Sequence, residues 1–295
     1  MADIQDKLNT ITAIMRQPLE TVQVHDGGDD FLVVEVNHAW MFRFPRHEAA
    51  RQALQCEIAF LQEFAGRSPL SVPRYAFIGD DVVGYRKIEG RPLTRSLFES
   101  LDDETQHVIA RQIGEFLSAL PAFPLDRARA MGLTEGWGGW REKAYQSFKT
   151  NVAPLLSVQA RTNAVACLEE FFALPGERVV VHGDFYPKDH VFFVGYNADD
   201  RQQGLSGVID FGDLTIEDAA ADFTSVLQDF GADFLQAVWT HYSGATDANM
   251  LHRIRVRIKA RPLFDAPYAL DYGFEERFQR RLLDIEAAFG SAISD

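Results

Sequence analysis

Two acidic triplets decide the fold of this chain, and each follows a short apolar run. The first segment reads Arg178-Val179-Val180-Val181-His182-Gly183-Asp184 (RVVVHGD), and the second reads Gly207-Val208-Ile209-Asp210-Phe211-Gly212-Asp213 (GVIDFGD). Apolar runs that are rich in β-branched residues and end at Gly or Asp indicate strands. Between them, Val191–Val194 and the turn-rich Gly195–Gly204 segment predict a hairpin arm. This order brings a carboxylate on a loop close to a second carboxylate at a strand end.

Paired carboxylates of this kind suit phosphoryl transfer. One aspartate orients a hydroxyl and accepts its proton, and another holds magnesium on the nucleotide phosphates. We assign the first role to Asp184 and the second to Asp210, because a hard cation prefers carboxylate oxygen. Asp184 and Asp213 could also be ordinary turn residues, and Asp-Phe-Gly alone is a weak signal. Two triplets in this order, with a glycine-rich turn and a cation upstream, favour the catalytic interpretation.

The composition bounds the class of protein. With 295 residues, 46% apolar and 24% charged, the chain can bury a sizeable core as one two-lobed unit or two domains. A formal net charge of −14 disfavours nucleic acid as a partner. The basic run His252–Arg261 is the exception, and we interpret it as a partly solvated helix face.

Apolar runs are too short for a membrane helix, and the N-terminus lacks a secretory signal pattern. Cys56 and Cys167 lie in apolar helical patterns, which favours buried thiols over a disulfide. We therefore expect a cytoplasmic protein.

The first ~88 residues predict a small antiparallel sheet with a helix packed on it. Apolar spacing is helical from His47 to Phe64, and Glu57 falls among its inward-facing positions. Predicted strands lie at Thr21–His25, Phe31–Val36, Ala39–Phe44, Tyr75–Ile78 and Val82–Ile88, after a first helix at Asp3–Arg16.

After Gly90 the pattern becomes mainly helical. Helices are predicted at Gln106–Leu120, Trp140–Phe148 and Gln159–Phe172, with a loop at Gly132–Gly139 and at least three helices after the second triplet. The fold class is therefore α+β, with residues 1–88 as an N-terminal nucleotide-binding lobe and residues 89–295 as a helical C-terminal lobe. We expect the nucleotide in the cleft of such a bilobal arrangement.

At these residues the chain resembles the kinase-like aminoglycoside phosphotransferase family, in particular the enzymes that modify the 2″-hydroxyl. Macrolide phosphotransferases are also similar. Matching segments extend from about Val22 to about Phe274. They include Gly27-Gly28-Asp29-Asp30, Trp40–Arg46, Lys87–Gly90 and the most family-specific segment, Gly207–Asp213. The resemblance implies a bilobal protein-kinase-like fold, GTP or ATP as co-substrate and Mg²⁺ as cofactor.

The resemblance also implies a nucleotide site. Gly27, Gly28 and Asp29 form a turn whose backbone amides can approach phosphates, although Gly-Gly-Asp is equally a good hairpin turn. Arg43 stands where kinase-like enzymes usually carry a lysine, and Glu57 matches the acidic residue that anchors that cation. The segment containing Tyr85, Lys87 and Ile88 corresponds to the connection between the lobes. A bulky aromatic residue such as Tyr85 accompanies guanine over adenine nucleotides in the resembling enzymes, which implies a preference for GTP.

In the family, Asn or His five residues beyond the catalytic aspartate supplies the second metal ligand. Without a gap this position is Asp189, and with one inserted residue it is His190, so both assignments stay open. Lys188 contacts the transferred phosphate or solvent. His182 holds the catalytic loop, and Asp222 matches a structural aspartate that ties this loop to the next helix.

The resemblance implies a cationic acceptor. Asp213 is expected to face it, and further candidates lie toward the C-terminus: Glu217, Asp229, Asp233, Phe264, Asp265, Tyr268, Asp271 and Tyr272. The sequence thus predicts a monomeric small-molecule kinase that phosphorylates an aminoglycoside. Alternatives are the same chemistry on a macrolide or a small metabolite, and a nucleotide-binding pseudokinase.

Overall fold

The structure, a computed structural model, describes residues 2–174, 176–197 and 202–290. Strands lie at Val22–His25 (β1), Phe31–Val36 (β2), Trp40–Pro45 (β3), Tyr75–Ile78 (β4), Val83–Arg86 (β5), Arg91–Pro92 (β6), Arg178–Val181 (β7), Val191–Asn197 (β8), Gln202–Val208 (β9) and Thr215–Asp218 (β10). Helices lie at Ala2–Met15 (α1), Glu48–Phe64 (α2), Arg95–Glu99 (α3), Asp103–Ala119 (α4), Leu125–Ala130 (α5), Gly136–Ser147 (α6), Val158–Ala173 (α7), Pro187–His190 (α8), Thr224–Phe230 (α9), Ala232–Trp239 (α10), Met250–Asp271 (α11) and Glu275–Phe289 (α12).

The chain forms two compact units. The first unit comprises the residues up to Ala119 together with Tyr186–Asp213, and the second comprises Leu120–Phe185 and the residues from Leu214 onward. The predicted lobe boundary after residue 88 stays a prediction. Within the described ranges, no helix has both the length and the apolar character needed to cross a membrane.

The first unit is built on a five-stranded antiparallel sheet with the order β1-β2-β3-β5-β4. Strand β2 is buried almost throughout because its two faces pack against different helices. Leu32, Val34 and Val36 share a core with Ile11 of α1. Phe31 packs with Ala50 and Leu54 of α2 on the other face. The alternation of a strand explains this division, because successive side chains point to opposite faces.

The predicted hairpin arm is strands β8 and β9, which pair antiparallel from Val191 opposite Val208 outward. Residues 198–201, within the predicted turn segment, lie outside the described residues. Beyond β9, Phe211 is fully buried, and its ring lies 6.2 Å from that of Phe64 and 6.3 Å from that of Phe116, between ring centroids. This packing fixes the backbone immediately after Asp210 against α2 and α4.

The second unit is mainly helical. Its core is formed by α6, α7, α11 and α12 around buried residues such as Phe148, Leu168 and Leu263. Strands β7 and β10 form a separate antiparallel ladder in which Thr215 lies opposite Val181. The His182–Asp184 triplet therefore leaves the ladder at the end where β10 begins.

The predicted glycine-rich loop contains an unusual turn. Four consecutive residues, Gly136–Gly139, have positive φ angles of 52°, 56°, 65° and 79°. They form a left-handed turn, and right-handed geometry starts at Trp140, where the sequence predicts the helix to begin. The basic run on α11 is only partly solvated: Arg255, Lys259 and Arg261 are exposed, whereas Arg253 is buried.

Candidate active site

A buried ion pair between Arg43 and Glu57 lies in the first unit. Nη1 of Arg43 donates to both carboxylate oxygens of Glu57, at 2.8 and 2.9 Å. Strand β3 presents the arginine and α2 presents the glutamate from the apolar face of the helix, so both side chains are almost completely buried. The Arg43 guanidinium carbon also lies 4.0 Å from the centroid of the Phe31 ring, a cation–π geometry. These contacts hold Arg43 in one orientation.

Two tyrosines complete the surroundings of this pair. The Tyr75 hydroxyl donates to Oε1 of Glu57 at 2.6 Å and accepts from Arg43 at 2.9 Å. The Tyr85 ring packs edge-on against Tyr75, with 5.6 Å between centroids. Burial raises the pKa of Tyr85 to about 12, so its hydroxyl stays protonated. Burial also raises the pKa of Glu57, and Arg43 offsets only part of this effect.

Asp210 lies beside this ion pair. Its Oδ1 is 3.6 Å from Nη2 of Arg43, and its Oδ2 is 3.4 Å from Nε2 of His190. The side chain is about half exposed, at 46%, and the backbone adopts a left-handed φ of 67°. Few non-glycine residues adopt this conformation, and such outliers concentrate at functional sites. The structure thus brings together Arg43, Glu57 and Asp210, all of which the sequence predicts for one site.

The structure also locates the residues that compete for the second metal position. His190 ends α8 next to Asp210, and its carbonyl accepts the Ile209 amide at 2.9 Å. Asp189 and Lys188 are exposed on α8. Among the described residues, no group of three His, Cys, Asp or Glu side chains could hold a metal by itself. Asp213 is exposed at the end of the Phe211–Asp213 turn.

A hydrogen bond from Arg46 stabilises the glycine-rich turn between β1 and β2. Nε of Arg46 donates to the Gly28 carbonyl at 3.1 Å. A Cβ atom added at Gly27 would meet no atom of the described chain within 4 Å, and neither Gly27 nor Gly28 has a positive φ. The fold itself therefore does not require glycine at position 27. Asp29 is exposed in the same turn.

Strand β5 leads into the segment predicted to join the lobes. Lys87 donates to the buried Glu35 of β2 at 2.8 Å. Its amide donates to the Ala39 carbonyl at 2.9 Å. A Cβ at Gly207 would lie 2.9 Å from Cγ2 of Ile88, so this glycine allows Ile88 to pack against β9. Both predicted residues are thus held by contacts inside the first unit.

The predicted catalytic loop belongs to the second unit. The carboxylate of Asp222 accepts the amide hydrogens of His182 and Gly183, at 2.8 and 3.0 Å. Gly183 has a φ of 86°, which glycine adopts without strain and which turns the chain before Asp184. Burial raises the pKa of Asp222 to about 7, and the nearby charge of Asp184 acts in the same direction. The predicted role of Asp222 in tying the loop to the following helix stays a prediction.

Two acidic acceptor candidates are already bonded to arginines. Glu217 is buried and receives hydrogen bonds from Arg141 at 2.6 Å, from Arg257 at 3.1 Å and from Arg178. Asp265 accepts from Arg277 and Arg281. An ammonium group would have to displace an arginine from either carboxylate.

The remaining acceptor candidates differ in exposure. The Tyr268 ring packs against that of Tyr272 in a tilted arrangement, with 4.5 Å between ring centroids. Phe264 is buried in the core, and Asp229 is half-buried on α9. Asp233 and Asp271 are exposed. Phe264 and Tyr268 both pack against Trp140, with 6.2 and 6.4 Å between ring centroids, and the roles of all these residues stay predictions.

The arginines around Glu217 were not predicted from the sequence. Arg141 lies 4.4 Å from the Trp137 ring centroid and 4.9 Å from that of Phe171. Burial lowers its pKa to about 9, and neighbouring Arg257 acts in the same direction. Arg253 donates to Asp218 at 2.7 Å and to Asp247 at 2.8 Å. Arg141 is 76 residues from Glu217, and Arg253 is 35 residues from Asp218. An Arg in an amphipathic pattern gives no sign of so distant a partner, so the sequence held no local signal for these two pairs.

A cavity of about 210 Å³ lies in the second unit, at the end of the β7–β10 ladder where Asp218 lies opposite Arg178. This end is the one distant from the predicted catalytic loop. Its lining includes Glu177, Tyr242, Asp247 and Arg253. None of the predicted site residues lines it.

Comparison with known proteins places this geometry in a family. Residues 21–257 match the phosphotransferase enzyme family (APH). The chain is 28% identical over 263 residues to viomycin phosphotransferase of Streptomyces vinaceus, covering 86% of this chain and 88% of the relative. It is similar to the GDP and kanamycin complex of APH(2″)-IIIa, with a TM-score of 0.82, 25% identity, and 95% of this chain and 98% of the other covered.

The fold is also shared with macrolide 2′-phosphotransferase type I, at a TM-score of 0.74 and 23% identity, with 97% of both chains covered. These similarities confirm the predicted α+β, kinase-like fold, in which a small antiparallel sheet precedes a mainly helical part. They also confirm the predicted enzyme class. The family match covers well over half of the sequence, and the chain therefore belongs to the phosphotransferase enzyme family (APH).

Proposed function

We propose that this phosphotransferase transfers the γ-phosphoryl group of GTP or ATP to a hydroxyl of an aminoglycoside antibiotic. One observation carries the proposal: Arg43 is held by the buried Glu57, and its second amino group lies 3.6 Å from Asp210. A fixed guanidinium beside a half-exposed carboxylate suits a nucleotide whose phosphates need both a cation and a metal ligand. The similar structure of a GDP and kanamycin complex supports the pairing of a guanine nucleotide with an aminoglycoside.

On the nucleotide side, Arg43 is the phosphate ligand, and the turn formed by Gly27, Gly28 and Asp29 offers backbone amides to the phosphates. The donor set at Asp210 fits magnesium, because a carboxylate and phosphate oxygens are the ligands it prefers. When bound, magnesium neutralises charge on the phosphates during transfer. His190 is the second protein group beside this position, although its nitrogen is a softer donor than the carboxylate of Asp189.

On the acceptor side, Asp184 is the catalytic carboxylate. It orients the attacking hydroxyl and accepts its proton as the oxygen–phosphorus bond forms. The bond between the γ-phosphorus and the β–γ bridging oxygen breaks, and the nucleoside diphosphate leaves. Asp222 fixes the two residues before Asp184 through their amides, so the carboxylate is positioned before the substrate arrives.

Substitution of Asp184 tests this assignment. Asp184→Asn removes the proton acceptor but keeps the shape of the side chain, so we expect turnover to fall by roughly 10²- to 10⁴-fold. Nucleotide affinity should be unchanged. Asp126→Asn, at a fully exposed side chain on α5, is the matched control and should retain wild-type turnover. Turnover of Asp184→Asn near the wild-type rate would disprove the role.

The identity of the nucleotide is tested at Tyr85. The buried Tyr85 ring, packed against Tyr75, supports a shallow base pocket and hence a preference for GTP. Relatives occur with GDP and with ATP, so the comparisons allow either nucleotide. Steady-state rates with GTP and ATP should favour GTP, and Tyr85→Ala should raise the relative rate with ATP. A wild-type preference for ATP would contradict this part of the proposal.

The acceptor is tested with a panel of aminoglycosides, macrolides, viomycin and small amino-alcohols. Viomycin belongs in the panel because the curated relative is 28% identical over most of this chain. Phosphorylation of an aminoglycoside supports the proposal. Activity confined to another compound keeps the chemistry and replaces the acceptor, and a protein that binds nucleotide without any turnover is a pseudokinase.

Two variants distinguish the candidate metal ligands. His190→Ala should raise the magnesium concentration needed for half-maximal turnover if His190 supplies the second ligand, whereas Asp189→Ala should not. The opposite result assigns the position to Asp189. Titration of magnesium at a fixed nucleotide concentration measures both.

A further inference from the structure

The left-handed turn at Gly136–Gly139 is the least expected backbone feature of the second unit. L-amino acids enter this region as single residues, and a run of four in succession is unusual. Three of the four are glycines, which tolerate it, but Trp137 has a φ of 56°. Strain on a large aromatic residue persists only where the surrounding structure fixes it, and such outliers concentrate at functional sites.

Hydrogen bonds fasten this turn to the start of β10. The Trp137 amide donates to Oγ1 of Thr215 at 3.1 Å, and this hydroxyl donates to the Thr134 carbonyl at 2.7 Å. The amide of Ile216 reaches the same carbonyl at 3.0 Å. Because Thr215 lies opposite Val181, the turn lies at the end of the ladder where the chain continues to Asp184. Three residues span at most about 10 Å, so Trp137 lies near the predicted catalytic loop.

Among the described residues, the indole of Trp137 lies outside the core cluster of this unit. Trp140 packs at the rim of this cluster. Trp137 is half-buried, and the Arg141 guanidinium carbon lies 4.4 Å from its ring centroid. Arg141 is in turn bonded to Glu217 at 2.6 Å. The ring orientation is therefore fixed from both ends, by the backbone turn and by the stacked guanidinium.

We propose that Trp137 is an acceptor-binding residue, held by the left-handed turn so that its indole packs against the apolar face of a ring of the acceptor. This inference rests on the proposed function, because the acceptor is the molecule that must reach Asp184. An apolar ring face is the chemistry that suits Trp137, since the cation that would favour its π-surface is already supplied by Arg141. A rigid, oriented aromatic surface favours one acceptor shape over others at little entropic cost.

The test measures acceptor binding in the Asp184→Asn background, where the acceptor is not consumed. Isothermal titration with the same panel of aminoglycosides, macrolides, viomycin and amino-alcohols gives the reference affinities. Trp137→Ala should weaken the acceptor that binds by roughly tenfold, since loss of an aromatic contact and its buried area is of this order. Trp137→Phe should recover part of the affinity. GTP affinity should stay within about twofold in both variants.

Two further variants separate contact from structure. Tyr145→Phe alters another aromatic residue of α6 that packs on the core, at 5.3 Å from Phe172 between centroids, and should leave acceptor affinity unchanged. Gly138→Ala keeps the indole but opposes the left-handed φ of 65°, and should weaken acceptor binding by displacing the ring.

The outcomes are distinct. Unchanged acceptor affinity in folded Trp137→Ala overturns the inference, as does an equal loss in Tyr145→Phe. If acceptor binding depends on Trp137 but the wild-type enzyme transfers no phosphoryl group, the inference stands and the proposed function fails. If no compound of the panel binds, both fail.

Discussion

Two buried arginine–carboxylate groups, one in each unit, illustrate how the same chemistry serves different ends. In the first unit a single arginine, Arg43, faces Glu57, and burial raises the pKa of the glutamate despite that charge. In the second unit burial also acts to raise the pKa of Glu217. The charges of Arg257 and Arg141 together have a larger effect in the other direction, so the pKa of Glu217 is lowered. One arginine does not offset the loss of water around a buried carboxylate, whereas several do.

The two groups also differ in how much hydrogen-bonding capacity they leave for a ligand. Arg43 directs Nη1 to Glu57 while Nη2 lies near Asp210, so part of its hydrogen-bonding capacity faces a half-exposed carboxylate. Glu217 is surrounded by three arginines and is almost completely buried. The first arrangement suits ligand binding, and the second suits the stability of the unit.

Removal of the central carboxylate of the second group should have the largest effect. Glu217→Gln leaves the mostly buried Arg141 and Arg257 around a neutral amide, and loss of one partner of a buried ion pair costs about 3–5 kcal/mol. We expect a fall of this size in the free energy of unfolding, measured by urea denaturation, with unchanged GTP affinity. A stable variant with weakened acceptor binding would instead make Glu217 an acceptor ligand.

Exchange of the cation should separate the two groups by function. Arg43→Lys keeps the charge but loses the planar fork, and hydrogen bonds to charged groups contribute about 1.5–3 kcal/mol. We expect a loss of this order in stability and a rise of at least about tenfold in the KM for GTP. Arg141→Lys is the matched variant in the second unit and should destabilise the protein without changing this KM. A wild-type KM in Arg43→Lys would remove Arg43 from the nucleotide site.

Asp222 is a third buried carboxylate, and it accepts hydrogen bonds from two backbone amides instead of from arginines. Burial raises its pKa from 3.8 to about 7, so between these values the folded protein keeps a proton that the unfolded chain has lost. The free energy of unfolding should therefore fall as pH rises through this window, by at most about 1.4 kcal/mol per pH unit.

The pH dependence is tested by urea denaturation of the wild type and of Asp222→Asn at about pH 5 and about pH 6.5. The variant cannot titrate at this position and should lack this component of the slope. Equal slopes in the two proteins would place the pKa of Asp222 outside the window.

Removal of a charge from an exposed ion pair should have the smallest effect on the free energy of unfolding. It gives the baseline against which the effect at the buried Glu217 is judged. Arg95 and Glu99 form an i,i+4 pair at 2.7 Å on α3, with both side chains mostly exposed. Glu99→Gln should cost no more than about 0.5 kcal/mol, because water and salt screen such pairs. A larger loss would show that charge removal itself, rather than burial, dominates the effect expected at Glu217.

The sequence predicts much of the first unit because its signals are local. Strand β2 has the predicted bounds, and the helical spacing that places Glu57 inward is matched by its complete burial. Asp222 accepts the amide hydrogen of His182, two residues before Asp184, and its predicted structural role stays a prediction. Between Asp189 and His190, spacing alone left the choice open, and the structure places His190 next to Asp210.

Long-range pairing in the second unit could not be predicted in the same way. Arg253 and Arg257 lie in a basic helical run whose period is that of a solvated face, and their partners are 35 and 40 residues away. The glycines of 136–139 predict a loop, but the left-handed conformation of Trp137 depends on Thr215, 78 residues later. Periodicity reports which face is apolar and does not report which distant side chain meets it.

The spacing of the buried residues along helix α2 limits how this enzyme can evolve. Glu57, Phe60 and Phe64 lie on one side of this helix, with Glu57 on Arg43 and the two rings around Phe211. An inserted or deleted residue turns everything beyond it by about 100°, which would separate the anchor of Arg43 from the support of Asp210. Substitutions at the exposed positions of this helix can be absorbed one at a time, but a change in its length cannot. Functional descendants of this enzyme should therefore diverge in the composition of α2 while preserving its spacing.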